Sequence, residues 1–370
     1  SMKLIMTKNK SVFNIVNASG SPHECGFAHG QTSKKLIQNI INIWGQNIKC
    51  QTGLTLESYA NRFKTETSLF KTITDLAPEL LEEVHGIADG AEMPRNIIEI
   101  WQYIDEHEWF IKDFIQRKNN LSDNACSTFA FKNQNHVLLG QNLDIPSYKN
   151  GIQTILKMKT ANELNSIIFT QAGVLASFGV NNSPIAVCVN SLTQLAYRPD
   201  GLPVAYMVRK ILQNTTFASA IKTLQTRPHA TAQNYVVACN NNFQNYECSA
   251  SQSALLEDQT KNHVLHTNHI LVNKDTRKDD SLSEAEKLEK LNKGTSIPRY
   301  KCLQQNLMNQ HTLSVADAQN ALSTPPVSIS VSENMASFTF FSVIFELGKE
   351  TNVWATSGAP KDNEYTKINW

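Results

Sequence analysis

No stretch of about 18 or more apolar residues occurs in this 370-residue chain, so no segment reads as a membrane-spanning helix. The opening Met2-Lys3-Leu4-Ile5-Met6-Thr7-Lys8 is too short and too interrupted for a signal-peptide core, and Ser1 ahead of Met2 reads as a tag remnant. Neither charge is in excess. With 34 Lys and Arg against 33 Asp and Glu, the net +1 offers neither a nucleic-acid groove nor a polybasic membrane face. The seven cysteines, at 25, 50, 126, 188, 239, 248 and 302, are odd in number and contain no C-x-x-C. That argues against a disulfide scaffold or zinc ribbon, and for a reducing cytoplasmic setting with one working thiol among structural ones. There is no G-x-S-x-G, phosphate loop or dinucleotide fingerprint, and no internal repeat or low-complexity tract.

What is present is ordinary globular composition, 41% hydrophobic and 18% charged, enough for one large domain or two modest ones. Alternation at Val12, Asn14 and Val16 gives way to Ser19-Gly20-Ser21-Pro22, and a helix is expected over 23–48 with Phe27, Leu36, Ile40, Ile41 and Trp44 on one face. Gly26 and Gly30 weaken that helix and point to close packing. Further helices are expected over 54–77, from Pro78 to Ala91, and from Pro94 onward, where Ile97, Ile98, Ile100, Trp101 and Ile104 form a buried face. Glu106-His107-Glu108 reads as a solvated helix face.

The character changes at Cys126. Short β runs are expected at 127–132, 136–143, 152–159, 166–171, 176–180 and 184–190, then at 234–239, 244–249, 263–268, 327–332, 337–347 and 352–356. Helices are expected over 203–214, 216–225, 300–308 and 315–322, and the charge-rich 273–297 reads as a loop with an exposed helix. Helix pairs between groups of antiparallel strands predict an α+β fold.

Cys126 heads a hairpin that turns near Asn133-Gln134-Asn135, where residues pair when their numbers sum to a constant. That places Asp144 within a residue or two of Cys126. There the carboxylate either orients an amine beside the thiol or merely caps the turn before Ile145-Pro146. A cysteine at a strand start is commonly a buried structural thiol. His263, His266 and His269 recur at intervals of three, but a strand splays them and no acidic or thiol ligand accompanies them. Asn268 is either an oxyanion donor or an ordinary residue before a loop.

The order Ala125-Cys126-Ser127-Thr128, Gly140-Gln141-Asn142-Leu143-Asp144, Gln171-Ala172-Gly173, Val187-Cys188-Val189-Asn190-Ser191 and His266-Thr267-Asn268-His269 resembles the acyl-CoA:6-aminopenicillanic acid acyltransferase family, the C45 group of self-processing N-terminal nucleophile hydrolases. Upstream, 22–30 and 81–91 resemble that family's pro-segment, and Arg198-Pro199-Asp200-Gly201-Leu202-Pro203 its turn into a helix. The resemblance implies a four-layer αββα sandwich, with a mostly helical pro-segment over 1–125 and a catalytic segment over 126–370. It also implies autocatalytic cleavage of the zymogen between Ala125 and Cys126. Cys126 would then be the nucleophile, Asp144 would hold its freed amine, and Asn268 with Asn190 would meet the substrate and its oxyanion. Members usually carry Gly before the cysteine, where this chain has Ala125. Some carry an arginine near the start of the late strand, where Glu333-Asn334-Met335-Ala336 has no basic residue.

The implied activity is hydrolysis or acyl transfer on a linear acyl or aminoacyl amide. No metal or cofactor is expected, nor any nucleic-acid or membrane partner. The two cleavage fragments would stay associated, and homo-oligomers are open. A choloylglycine-hydrolase-like amidase on the same fold and an uncleaved, inactive binding protein are the alternatives.

Overall fold

The computed structural model describes residues 7–370 apart from 117–123, 161–163, 258–261, 279–281, 308 and 333–335. Strand β1 (Asn14–Ser19) leads into helices α1 (Pro22–Thr32), α2 (Lys34–Thr52), α3 (Leu56–Glu66), α4 (Leu69–Leu76), α5 (Pro78–Ala91), α6 (Arg95–Trp101) and α7 (Glu106–Phe110). Then come β2 (Ala125–Lys132), β3 (Val137–Pro146), β4 (Gln153–Lys159), β5 (Asn165–Gln171), β6 (Phe178–Asn181) and β7 (Ala186–Ser191). Helices α8 (Val204–Ile211) and α9 (Phe217–Thr226) precede β8 (Gln233–Ala238), β9 (Phe243–Cys248), β10 (Ser253–Leu256) and β11 (His263–His266). The chain closes with α10 (Glu284–Lys293), α11 (Ser296–Leu307), α12 (Val315–Ser323), β12 (Ser337–Leu347), β13 (Thr351–Ser357) and β14 (Thr366–Ile368).

Among the described residues these strands build two sheets, ordered β1-β4-β5-β6-β7-β8-β9-β10 and β11-β2-β3-β12-β13-β14. Strands β2 and β3 face β7 and β8 across the interior. Gln141 of β3 ties the sheets together, donating from Nε2 to the Val189 carbonyl (2.7 Å) and accepting from the Val189 N–H (3.0 Å). Helices α11 and α12 cover the outer face of the six-stranded sheet, burying Leu303, Leu307 and Leu322 against Phe129, Phe131 and Ile344. The other sheet is covered by α9 and by the N-terminal helices, with Trp101 Nε1 donating to the Ala172 carbonyl at 2.9 Å. The result is α+β in four layers, αββα, as the resemblance implied.

Two expected helices are each split. The run over 23–48 breaks at Ser33, whose Oγ accepts from Asn14 of β1 at 2.8 Å. The split lets α1 lie against α5 while α2 buries Ile37, Ile40, Ile41 and Trp44; Phe27, expected on the buried face, is 38% exposed. The run over 54–77 breaks between α3 and α4. The α1–α5 contact is a glycine seam. A Cβ on Gly26 would sit 1.9 Å from the Glu83 carbonyl oxygen, and one on Gly86 2.3 Å from that of His23. Gly30 and Gly90 repeat the arrangement one turn on.

The expected strand over 327–332 does not form. Val327 is drawn into the core under α12, and its carbonyl accepts from Asn142 Nδ2 at 3.1 Å rather than from a neighbouring strand. The helix inside 273–297 is α10, with no buried residue. The N-terminal segment is not purely helical: β1 pairs in parallel with β4, Asn14 opposite Thr154, and so forms an edge of the larger sheet. Near the other end, Asn9 N–H donates to the Asp362 carbonyl and the Asn9 carbonyl accepts from Glu364 N–H, both at 2.8 Å.

Candidate active site

Strand β2 runs unbroken through Ala125 and Cys126, pairing Ala125 with Asp144 and Cys126 with Leu143. The hairpin sum therefore holds to within a residue. Cys126 is 2% exposed, and its backbone N–H donates to Asn268 Oδ1 at 2.8 Å. That same oxygen accepts from Arg299 Nη2 at 2.9 Å, while Arg299 Nη1 donates to the Cys126 carbonyl (2.7 Å) and to Ser127 Oγ (3.1 Å). Asn268 Nδ2 donates to the Ser191 carbonyl at 2.9 Å.

The loop carrying Asn268 is held from both sides. Ser296, at the start of α11, accepts from the Asn268 N–H at 2.7 Å, placing Arg299 one turn further along the same helix. Glu247 of β9 binds His266 Nε2 at 2.6 Å and accepts from the N–H groups of Leu271, Val272 and Asn273 at 2.7–2.8 Å. Charge-assisted bonds of this kind are the stronger ones, so the loop's geometry is closely fixed.

Asp144 is fully buried. Oδ1 accepts from Thr339 Oγ1 at 2.8 Å, and Oδ2 has no hydrogen-bond partner among the described residues. Burial pushes this carboxyl up to about 6, against the pull of Arg299 and the Thr339 hydroxyl. The Cys126 thiol is pushed far above its ordinary range by burial, then by the negative charges of Asp144 and Asp105, with Arg299 opposing. Its sulfur is therefore held as the protonated thiol.

Asn190 does not line the cavity beside the thiol. It is fully buried, donates from Nδ2 to the His266 carbonyl at 3.2 Å and accepts from Asn234 Nδ2 at 3.4 Å; its neighbours Val189 and Ser191 line the cavity instead. That cavity, about 30 Å³, has Cys126, Asp105, Asn124, Gln171, Ser191 and Gln233 among its polar lining, with Ser177 as well. Sequence reasoning missed Arg299 and Asp105. Glu106 and His107, expected at a solvated face, are buried. Glu106 Oε2 accepts from Thr231 Oγ1 at 2.7 Å, and His107 Nδ1 shares a 2.7 Å hydrogen bond with the Tyr59 hydroxyl. The available signal was Trp109-Phe110 directly after the acidic run, since two large aromatics on a five-residue helix bring their neighbours inward. The expected absence of a basic residue before the late strand concerns 333–335, outside the described residues; Arg299 reaches the site from α11 instead.

Several known proteins resemble the chain. An acyltransferase of Emericella nidulans, the acyl-coenzyme A:6-aminopenicillanic-acid-acyltransferase 40 kDa form, is 28% identical over 269 residues, 70% of each chain. Among solved structures, a penicillin V acylase from Agrobacterium tumefaciens aligns with a TM-score of 0.39 at 12% identity, covering 63% of this chain and 82% of that one. A conjugated bile acid hydrolase from Clostridium perfringens aligns with a TM-score of 0.41 at 10% identity, covering 66% and 97%. The family model for acyl-coenzyme A:6-aminopenicillanic acid acyl-transferase matches residues 131–361, a span that takes in Asp144, Asn190, Asn268 and Arg299. Since that span is more than half of the 370 residues, the chain belongs to the acyl-coenzyme A:6-aminopenicillanic acid acyl-transferase family.

Proposed function

We propose that the chain is a cysteine N-terminal nucleophile enzyme that first cuts itself before Cys126 and then hydrolyses or transfers the acyl group of a small linear amide. The observation that carries this reading is the Cys126 N–H held at 2.8 Å on Asn268 Oδ1, with Asp144 and Arg299 beside it. An acceptor so placed already takes the backbone N–H at ordinary hydrogen-bond length. It would hold the α-amine of a newly made N-terminus next to the thiol that the amine must deprotonate.

In the first turnover the Cys126 sulfur attacks the Ala125 carbonyl, and hydrolysis of the resulting thioester leaves 1–125 and 126–370. The freed amine, with an ordinary pKa of about 7.7–8.0, is a far better base near neutrality than a lysine. It takes the thiol proton, the thiolate attacks the substrate carbonyl, and an acyl-enzyme forms. Asp144, with its unpartnered Oδ2, and Asn268 Oδ1 hold the ammonium form. Asn268 Nδ2 keeps one N–H on the Ser191 carbonyl and offers its second to the oxyanion. Ser191 itself lines the cavity, whereas Asn190 supports from behind. The two fragments remain joined, because β1 belongs to the same sheet as β4. All seven cysteines are free, consistent with a reducing cytoplasm.

Intact mass and a denaturing gel test the reading, with Cys126→Ala alongside. The wild type is expected as two fragments that co-elute on size exclusion, and the variant as one 41.4 kDa chain. A wild type that stays whole, or amide turnover unaffected by Cys126→Ala, would refute it.

A further inference from the structure

Asp105 stands where the cap of α7 belongs, yet its side chain makes no cap hydrogen bond and faces the cavity beside Cys126. Its neighbour Glu106 turns the other way, to Thr231 Oγ1 and the Val204 N–H, and burial together with the Asp105 charge pushes its carboxyl well up, so it stays neutral. Asp105 is raised by burial and restrained by the Asn124 amide, Lys149 and, more weakly, Gln233, so it is an ionised carboxylate of more than ordinary basicity. Gln233 Nε2 lies near that carboxylate without a full hydrogen bond, and Gln171 Oε1 is likewise unpartnered among the described residues.

About 30 Å³ accommodates one or two waters and no acyl chain. A water there meets a carboxylate, an amide N–H and an amide carbonyl, enough partners to hold it, and it touches the residues on both sides of Ala125, namely Asn124 and Cys126. Asp144 does not line this cavity.

We propose that Asp105 is the general base of the second step of self-cleavage, drawing a proton from a water that attacks the Ala125 thioester. The inference rests on the self-processing reading above. In the first step the S–C bond forms, the C–N bond breaks, and the thiol proton moves to the Cys126 nitrogen. In the second, the water oxygen bonds to the Ala125 carbonyl carbon and Asp105 takes the water's proton. The S–C bond then breaks, and the departing thiolate recovers the proton from Asp105. One peptide bond and one water become the Ala125 carboxyl and the Cys126 amine. The segment on the N-terminal side of the cut thus supplies the base for its own cleavage.

Cell-free synthesis, timed on denaturing gels, tests this with Asp105→Asn, which keeps the shape and removes the base. Cleavage is expected to slow on the order of 100-fold or more. Neutral hydroxylamine should still release 1–125 from Asp105→Asn as a hydroxamate, because the thioester still forms, and should release nothing from Cys126→Ala. Should Asp105→Asn fail to fold by circular dichroism, Gln233→Met removes a second of the water's three anchors. It is expected to slow cleavage about tenfold with hydroxylamine sensitivity retained. Wild-type cleavage rates in a folded Asp105→Asn overturn the proposal and leave self-processing intact. A folded Asp105→Asn that resists hydroxylamine also overturns it, since Asp105 would then act before the thioester. A wild type that never cuts defeats the self-processing reading and this step with it.

Discussion

Arg299 spans three groups at once: the Cys126 carbonyl, the Ser127 hydroxyl and the Asn268 amide oxygen. Only a planar fork of donors reaches all three in fixed directions, so a lysine keeps the charge and loses the geometry. Arg299→Lys is expected to lower both self-cleavage and turnover on the order of 100-fold, the scale of a misplacement of about 1 Å at reacting atoms. Gel densitometry and steady-state rates on chains that hold their circular dichroism check it; rates within about threefold of wild type would remove Arg299 from the site. The sequence made Cys126 and Asp144 legible because a hairpin couples neighbours by simple arithmetic. Arg299 lies 173 residues from Cys126 on an unrelated helix, and nothing in Ile297-Pro298-Arg299-Tyr300 marks that meeting. Asp105 was hidden for a similar reason: what surrounds its acidic run, Thr231 and Val204, comes from distant parts of the chain.

At the scale of elements, the glycine seam between α1 and α5 is where the N-terminal helices are tightest. Each missing Cβ faces backbone carbonyl oxygen, and backbone cannot swing aside as a side chain can. Gly26→Ala or Gly86→Ala must push the helices apart, with an expected loss of about 3 kcal/mol, the upper part of the usual overpacking range. Gly45→Ala in α2 is the control, because its new methyl meets only the flexible Leu56 side chain at 3.0 Å. That change is expected to stay within about 1 kcal/mol of wild type. Urea midpoints at constant slope give both numbers; equal shifts for Gly26→Ala and Gly45→Ala would show that the seam is not tight. Here the sequence was informative, since paired glycines four apart inside a helix are costly unless something comes close. Helix breaks were less legible: Ser33 interrupts a run with good periodicity where Asn14 bonds its hydroxyl and α1 packs on α5, contacts that local propensity does not contain.

At the scale of the whole molecule, layer order follows from pattern only in outline. Alternating strands and flanking helices specify α+β, but the parallel pairing of β1 with β4 joins residues 140 apart and leaves no local mark. The same long reach makes the N-terminal segment part of the larger sheet as well as a cover for it. A cut before Cys126 would therefore remove a covalent link without removing a layer.

The pairing of Asn9 with Asp362 and Glu364 places the two ends of the fold side by side, so the order in which the chain is read can be rotated. A circular permutant could join 370 to 7 through a short Gly/Ser tether and open the chain between Ala125 and Cys126. It would begin Met-Cys126, and ordinary removal of the initiator methionine would expose the amine directly. Such a protein is expected to turn over amides as one unbroken polypeptide, with no maturation lag, as initial-rate assays immediately after synthesis would reveal. If it folds, carries a free cysteine amine by mass spectrometry and is still inert, then the free amine is not what the cut is for.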